Sequence, residues 1–243
     1  MMSIYTKEIL EAANRWNGIL PAPSKEARKT PNGLPVFNNK FIETWIARAN
    51  PIVPGLWAIP VSSILFWIGS SHQSISVGVY LWIIGFFSWT LLEYAIHLYL
   101  FHKEITPNMN PKVKFLLFML HGYHHEYPND GSRLVMPIAV AWPLATIIGL
   151  IFWMLMGTNI FFHFYSGLLI GYLAYDWVHY AEHHVNFKSK AGKFMRLFHS
   201  IHHFVDENKN FGISTPIWDW VLGKAQNSLK SPINTESVID KPQ

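Results

Sequence analysis

Four long apolar runs alternate with polar segments along the chain, at residues 52–69, 75–101, 134–156 and 159–180. A helix needs about 20 mainly apolar residues to cross a bilayer. The second and third runs meet that length. The first is short and contains Pro60, so a buried core helix is the alternative there. The pattern predicts an all-α polytopic membrane protein with four transmembrane helices arranged as two hairpins.

Weaker patterns precede the first run. Residues 4–16 have the periodicity of a short amphipathic helix, and residues 21–39 are rich in Pro and Asn, which is typical of irregular loop. Residues 41–48 predict a helix lying at the membrane interface. Its lipid-facing side chains would be Phe41, Trp45 and Ile46.

The positive charges predict the orientation of the spans. All 19 Lys and Arg residues lie in segments 1–51, 103–133 and 181–243, and the two short loops between spans hold none. Positive residues collect on the cytoplasmic side, so these three segments and both termini should be cytoplasmic. We therefore divide the chain into a cytoplasmic N-terminal segment with an amphipathic helix (1–51), a membrane domain (52–225) and a polar tail (226–243).

Composition narrows the possible chemistry. Only 14% of residues are charged, against about 25% in typical soluble domains. The absence of cysteine excludes disulfides, thiolate metal sites and a cysteine nucleophile. The net charge of +4 follows from membrane orientation, so we expect no nucleic-acid partner.

Ten of the thirteen histidines fall into four short patterns on the predicted cytoplasmic side. They are His97 and His102; His121, His124 and His125; His179 and His183; and His199, His202 and His203. Positions i, i+3 and i+4 share a helix face, so each H-x-x-H-H pattern could direct three imidazoles at one point. The i, i+5 pair diverges by about 140° in an α-helix, which predicts two ligands flanking a site.

Ten imidazoles predict two metal ions. Neutral imidazole binds iron, zinc and copper, and ten ligands are too many for one ion, whereas five each leaves room for an exchangeable ligand. Carboxylates at Glu93 and Asp176 could accept the second ring N–H of His97 and His179 and orient those rings. The fold prediction is thus a four-helix membrane bundle capped by a cytoplasmic, histidine-rich, helical dimetal domain.

Three histidines are left outside this set. His72 and His163 fall on the opposite side of the membrane and are predicted to be interfacial or packing residues. His184 adjoins the ligand pattern without fitting it. Arg133 and Asp130 could be helix-entry or headgroup contacts, and the sequence leaves that choice open.

A shielded dinuclear centre at a membrane surface suggests oxidation of a lipid chain. Oxidising an unactivated C–H bond with O₂ requires a redox-active metal, and zinc has no redox chemistry. Iron is therefore expected for the chemistry, with zinc possible as the bound ion. A metal transporter or sensor is the alternative class, but transporters place such ligands near the bilayer midplane, whereas these lie at span ends.

The order H-x4-H, H-x2-HH, H-x3-H, H-x2-HH resembles the fatty acid hydroxylase superfamily, which also contains sterol and carotenoid oxidases. Three longer stretches resemble its fatty acid 2-hydroxylases, the sphingolipid alpha-hydroxylases. They are EYAIHLYLFH (93–102), HGYHHEYPNDGSRLVMP (121–137) and HHFVDENKNFGISTPIWDW (202–220). The resemblance covers roughly residues 50–222.

This resemblance implies a four-span enzyme of the endoplasmic reticulum, or of the inner membrane in a bacterium, with the ten histidines holding two metal ions. It implies insertion of oxygen from O₂ at the carbon next to the carbonyl of a free or ceramide-bound acyl chain. Two electrons would come from a separate donor such as cytochrome b5, because the chain carries no His-Pro-Gly-Gly haem motif. His184 stands where relatives commonly have an apolar residue. A sterol or carotenoid oxidase of the same superfamily is the alternative.

Overall fold

The computed structural model describes residues 4–16 and 33–226. All regular secondary structure within these residues is helical, apart from an isolated β-bridge between Tyr5 and Phe37. The all-α prediction is confirmed. Residues 227–243 of the predicted tail and residues 21–32 of the predicted loop lie outside the described residues. The helices are α1 Lys7–Arg15, α2 Lys40–Ile46, α3 Val53–Gly69, α4 Ile75–Ala95, α5 Pro111–Leu117, α6 Tyr123–Glu126, α7 Ile138–Met156, α8 Thr158–His184, α9 Lys190–Phe204 and α10 Ile217–Val221.

Three further segments are helical but not α-helical. A π-helical segment, Ile96–Phe101, continues α4, and a second, Phe118–Gly122, joins α5 to α6. A 3₁₀ turn, Gly131–Arg133, follows α6. The two π-helical segments contain His97 and His121, which belong to the predicted metal site.

Two helical stretches among the described residues are long and apolar enough to cross a membrane. They are Ile75–Phe101, with 27 residues and a mean hydropathy of 1.8, and Gly131–Met156, with 26 residues and a mean hydropathy of 2.2. Helix α3 is apolar but has only 17 residues. Helix α8 has 27 residues but is less apolar. The structure thus supports two of the four predicted spans by length and composition.

Helix α8 is the central element, and it packs along both α4 and α3. Its contact with α4 is backbone to backbone. A Cβ added to Gly85 would lie 1.9 Å from the carbonyl oxygen of Phe164, and one added to Gly167 would lie 2.0 Å from that of Trp82. Small residues allow helices to approach this closely. The outer faces stay apolar, as at Trp67 and Met154, which are 75% and 71% exposed.

Helices α1 and α2 form where the sequence predicts an amphipathic helix and an interfacial helix. Thr6 caps α1, its hydroxyl accepting from the N–H of Ile9, and the helix buries one face through Ile9, Ala12 and Ala13. In α2 the apolar face points outward instead, with Phe41 and Trp45 69% and 67% exposed.

A buried ionic network ties the N-terminal segment to the turn after α6. The carboxylate of Glu43 accepts from two backbone N–H groups in segment 36–37, at 2.9 and 3.1 Å, and pairs with Arg48 and Arg133. Arg133 also lies 3.8 Å from Asp130. Burial raises the pKa of Glu43, but these N–H groups and the guanidinium of Arg133 outweigh it and hold the pKa below its usual value. Arg133 and Asp130 therefore point inward, into an internal ion-pair network.

Candidate metal centre

The structure brings all ten predicted histidines together in two clusters of five. Within each cluster, one ring nitrogen per histidine lies within 4.8 Å of the others. All ten are buried except His102 and His183, which are partly exposed. The first cluster contains His97, His102, His121, His125 and His202; the second contains His124, His179, His183, His199 and His203.

His97 and His102 belong to one cluster, contrary to the prediction that they would flank a site. The 140° divergence holds for an α-helix, but this segment is π-helical, and the N–H of His102 donates to the carbonyl of His97 at 3.1 Å. An i→i+5 hydrogen bond places residue i+5 above residue i. The local π-helix thus makes the two imidazoles neighbours, with ring centroids 5.0 Å apart.

The two H-x-x-H-H patterns also behave differently from the prediction of three imidazoles at one point. In each, the two histidines four residues apart face one cluster and the remaining histidine faces the other. His121 and His125 join the first cluster and His124 the second, whereas His199 and His203 join the second and His202 the first. Each pattern therefore lies between the clusters and supplies both of them.

The Nε2 atoms of the first cluster are spaced as ligands of one ion would be. The Nε2 of His121 lies 3.0, 3.1 and 2.8 Å from the Nε2 atoms of His97, His102 and His125. Two nitrogens each about 2.1 Å from one ion, at a right angle, are roughly 3 Å apart. A single ring proton cannot serve three such contacts. The donor set fits a metal ion better than a hydrogen-bond network.

The second cluster repeats this geometry as a chain of contacts. His124 Nε2 lies 3.0 Å from both His179 Nε2 and His203 Nε2. His199 Nε2 lies 3.0 Å from His203 Nε2 and 2.9 Å from His183 Nε2. Five Nε2 atoms therefore converge here as well.

Burial keeps these imidazoles in the neutral form that binds metal. Burial first, and then the neighbouring imidazoles, lower the pKa of the histidines on the central loop and on α9 well below the usual value. For His202, burial lowers the pKa to about 4, although the hydrogen bond to the Lys209 carbonyl opposes that shift. The histidines concerned are His121, His124, His125, His199 and His203.

Backbone carbonyls, and no carboxylate, face the second ring nitrogen of two first-cluster histidines. The Nδ1 of His97 lies 2.5 Å from the carbonyl oxygen of Phe211, and the Nδ1 of His202 lies 2.7 Å from that of Lys209. Glu93, predicted to orient His97, instead accepts from the backbone N–H and the hydroxyl of Ser214 at 2.7 and 2.5 Å. The carbonyl of Phe211, more than 100 residues from His97 in sequence, therefore occupies the position predicted for the Glu93 carboxylate.

Carboxylates lie nearer the second cluster. Glu182 is 3% exposed, and one of its oxygens is 4.0 Å from the Nδ1 of His199. Its place between two ligand candidates in the HYAEH pattern was the signal that sequence reasoning missed. Asp176 is 2% exposed and lines the same large cavity as His179, the residue it was predicted to orient.

The three remaining histidines lie outside both clusters. His163 is fully buried against Phe66, with ring centroids 4.7 Å apart, and His72 stacks on Phe162 at 5.6 Å. The ring of His184 packs against that of Tyr180, with centroids 4.6 Å apart. His163 is thus a buried packing residue and His72 an exposed one that stacks on an aromatic ring, which agrees with the prediction of interfacial or packing roles.

A cavity of about 790 Å³ opens onto both clusters. Its wall includes His121 of the first cluster and His124 and His179 of the second. Residues from α1, α2 and α5 and from segment 133–137 form most of the remaining wall, which is largely apolar. Ligand sites are typically concave, mainly apolar cavities of 300–1,000 Å³ with a few polar groups, so this cavity is the candidate substrate site.

Fold and clusters together define the class: an all-α, strongly apolar protein with two all-histidine candidate metal sites at the ends of its long helices. The chain belongs to the fatty acid hydroxylase family, whose model matches residues 82–224.

Similar proteins from several organisms support that membership. The chain is 34% identical over 194 residues to the ceramide very long chain fatty acid hydroxylase scs7 of Schizosaccharomyces pombe, covering 78% of this chain and 54% of that protein. It is 34% identical over 199 residues to a dihydroceramide fatty acyl 2-hydroxylase of Arabidopsis thaliana, covering 77% and 78%. The matched region thus spans about half of the yeast protein and more of the plant protein.

A solved structure has the same fold. The structure of full-length scs7p, in which only the hydroxylase domain is visible, superposes with a TM-score of 0.76 at 27% identity. The match covers 83% of this chain and 75% of that one. The likeness extends over most of the helical framework that carries the two clusters.

Proposed function

We propose that this protein is a membrane-bound fatty acid 2-hydroxylase with two histidine-held metal ions. The observation that carries the proposal is the pair of five-imidazole clusters beside one apolar cavity. The names of its relatives, which are ceramide and fatty acid hydroxylases, point to the same reaction.

Each cluster would hold one ion through its Nε2 atoms. The ions would supply the redox chemistry that activates O₂, and iron suits that task because zinc has no redox chemistry. The protein would fix the ring orientations, keep the imidazoles unprotonated through burial, and exclude bulk water from the site. All-nitrogen ligation differs from the Glu and Glu-x-x-His sets of soluble di-iron bundles.

The substrate would be an acyl chain, free or bound in a ceramide, lying in the large cavity. The apolar wall suits a hydrocarbon chain, and because His121, His124 and His179 line it, a bound chain would have its alpha carbon close to both clusters. Arg133 also lines the cavity, but its charge is paired with Glu43. Lys112 lies on the cavity wall and could meet the polar end of the substrate.

The reaction would consume O₂, two electrons and two protons. One oxygen atom enters the C–H bond of the alpha carbon as a hydroxyl group and the other leaves as water. The electrons would come from a separate donor of the cytochrome b5 type.

The four long helices would cross the membrane as two hairpins, with α2 lying at the interface through Phe41 and Trp45. The confinement of every Lys and Arg to three segments supports a cytoplasmic metal site and cytoplasmic termini. The membrane would be the endoplasmic reticulum in a eukaryote or the inner membrane in a bacterium.

Lipid analysis of an expressing strain tests the reaction. Mass spectrometry should find acyl chains heavier by one oxygen atom, with fragmentation placing it on the alpha carbon. Oxygen on a sterol or carotenoid ring would show that the enzyme belongs to the other branch of the superfamily.

Single substitutions test the ligands. His124→Ala and His202→Ala, one from each cluster, should each abolish 2-hydroxylation and lower the bound metal. His72→Ala, outside both clusters, should change neither. Normal activity in His124→Ala would remove that residue from the site.

A further inference from the structure

The first cluster depends on a loop that is distant in sequence from most of its ligands. Residues 209–214, here the clamp loop, lie in the connection between α9 and α10. The clamp loop supplies both backbone carbonyls that face ring nitrogens of this cluster, from Phe211 to His97 and from Lys209 to His202. The ring of Phe211 also contacts His102, with centroids 5.2 Å apart.

Those carbonyls determine which ring nitrogen would face a bound metal ion. A carbonyl oxygen can only accept a hydrogen bond, so the Nδ1 of each ring must carry the proton. Nε2 is then left with its lone pair directed into the cluster. Ligating histidines usually have their tautomer and orientation fixed in this way.

Asp219, at the centre of α10, holds the clamp loop in place. Its side chain is fully buried, with Oδ1 accepting from the N–H of Phe211 at 2.8 Å and Oδ2 from the N–H of Gly212 at 2.7 Å. No side chain fits at Gly212, where a Cβ would lie 2.2 Å from the carbonyl oxygen of Thr215. Each carboxylate oxygen thus holds one peptide of the loop.

Two further contacts attach this unit to the membrane bundle. Glu93 on α4 accepts from Ser214 at the other end of the clamp loop. The indole N–H of Trp218 donates to Thr90 on α4 at 3.0 Å. Asp219 therefore links the clamp loop to α10, and both the loop and α10 are also hydrogen-bonded to α4.

The second cluster has no equivalent support among the described residues. The Nδ1 atoms of His179, His199 and His203 have no hydrogen-bond partner there, and the carboxylate of Glu182 lies 4.0 Å from the Nδ1 of His199. In the first cluster the Nδ1 of His125 likewise has no partner among the described residues, so the carbonyl contacts of that cluster are those to His97 and His202. The two sites are thus unequal in their outer contacts, and only the first depends on the clamp loop.

We propose that Asp219 is a positioning residue for the first cluster alone, which through the clamp loop keeps the Nε2 atoms of His97 and His202 directed at the metal. This inference rests on the proposed function, because it takes each cluster to hold an ion. It goes further because it assigns the orientation of two first-cluster histidines to a residue that does not itself contact a metal-ligand candidate.

Asp219→Asn tests the proposal, because an amide of the same shape keeps one acceptor but turns an NH₂ group toward a backbone N–H. The full-length protein is purified in detergent with iron and its metal content is measured by mass spectrometry. The native protein should hold two ions per chain and the variant one. In competition with a chelator, the affinity for the lost ion should fall about 10–100-fold, as for other residues that orient ligands.

Asp206→Asn is the matched control. Asp206 lies in the same connection, but its side chain accepts a local hydrogen bond, from the backbone N–H of Asn208 two residues away, at 3.0 Å. It should keep two ions. Should Asp219→Asn fail to fold, Ser214→Ala, which removes one contact of the loop with Glu93, should still weaken the binding of one ion and spare the other.

The outcomes separate this inference from the proposed function. A native protein without metal would contradict the proposed function itself. A native protein with two ions, together with an Asp219→Asn variant that keeps both or loses both equally, would overturn only the role of Asp219.

Discussion

Glu43→Gln should destabilise the protein by about 3 kcal/mol, because it removes the carboxylate that lies nearest to the buried guanidinium of Arg133 among the described residues. The side chain of Arg133 is 6% exposed and that of Glu43 is 12% exposed. Removing one partner of a buried ion pair typically costs 3–5 kcal/mol. We expect the lower end because Arg133 would keep Asp130 at 3.8 Å and the carbonyl oxygen of Ala47 at 3.3 Å.

The assay is thermal unfolding of the protein in detergent, monitored by circular dichroism. At about 2–4 °C per kcal/mol for a chain of this size, the midpoint should fall by roughly 6–12 °C. Because Glu43 also holds segment 36–37, which forms part of the wall of the large cavity, protease sensitivity near that segment should rise.

Glu11→Gln is the matched control. Glu11 pairs with Lys7 on the exposed face of α1 at 3.6 Å, with its side chain 52% exposed. Exposed pairs contribute about 0–1 kcal/mol, so its midpoint should hardly move. If Glu43→Gln were no more destabilising than Glu11→Gln, the network would not stabilise the N-terminal segment and the reasoning would be refuted.

Three further predictions concern pH, helix packing and the cavity. The pKa of Glu43 is lowered in the folded state, so its stabilising contribution is present above the unfolded pKa of about 4.5 and is lost as pH falls through the folded pKa. The difference in unfolding free energy between the native protein and Glu43→Gln should therefore shrink below about pH 4.5. A constant difference down to pH 3 would contradict this. Gly85→Ala should destabilise the protein by about 1–3 kcal/mol through overpacking, because its Cβ would lie 1.9 Å from the Phe164 carbonyl; an unchanged thermal midpoint would show that α4 and α8 separate without cost. Leu116→Trp, at a half-exposed position on the cavity wall, should lower 2-hydroxylation several-fold while both metal ions remain; loss of metal in this variant would place its effect at the clusters instead.

Hydropathy was enough to predict the long helices. The runs at 75–101 and 134–156 became α4 with its π-helical extension and the stretch ending in α7. The amphipathic pattern at 4–16 became α1. These features are local, since apolar spacing and helix caps lie within a few residues of the side chains they organise.

The number of patterned histidines predicted two groups of five, but their spacings did not predict which histidines belong to each group. Ideal α-helical geometry separates His97 from His102, and only the π-helical turn between them makes them neighbours. Such a turn depends on the packing around it and leaves no distinct mark on the sequence. For the same reason the division of each H-x-x-H-H pattern between two sites could not be read from spacing alone.

Contacts between distant segments were the least predictable. Glu93 lies one turn before His97, which made it the natural partner in sequence, yet the carbonyl of Phe211 takes that place. A backbone carbonyl carries no residue-specific signal. Asp219 was visible only as part of the WDW motif, and its hydrogen bonds to the clamp loop appear only once α10 is placed.

The most direct test of the central account is product analysis with isotopically labelled O₂. Purified protein loaded with iron is given a fatty acyl substrate and a reduced electron donor, and the product is analysed by mass spectrometry. The account predicts one labelled oxygen atom in a hydroxyl group on the alpha carbon, and no product from His124→Ala or His202→Ala. Label at another carbon, unlabelled hydroxyl oxygen, or full activity in either variant would contradict it.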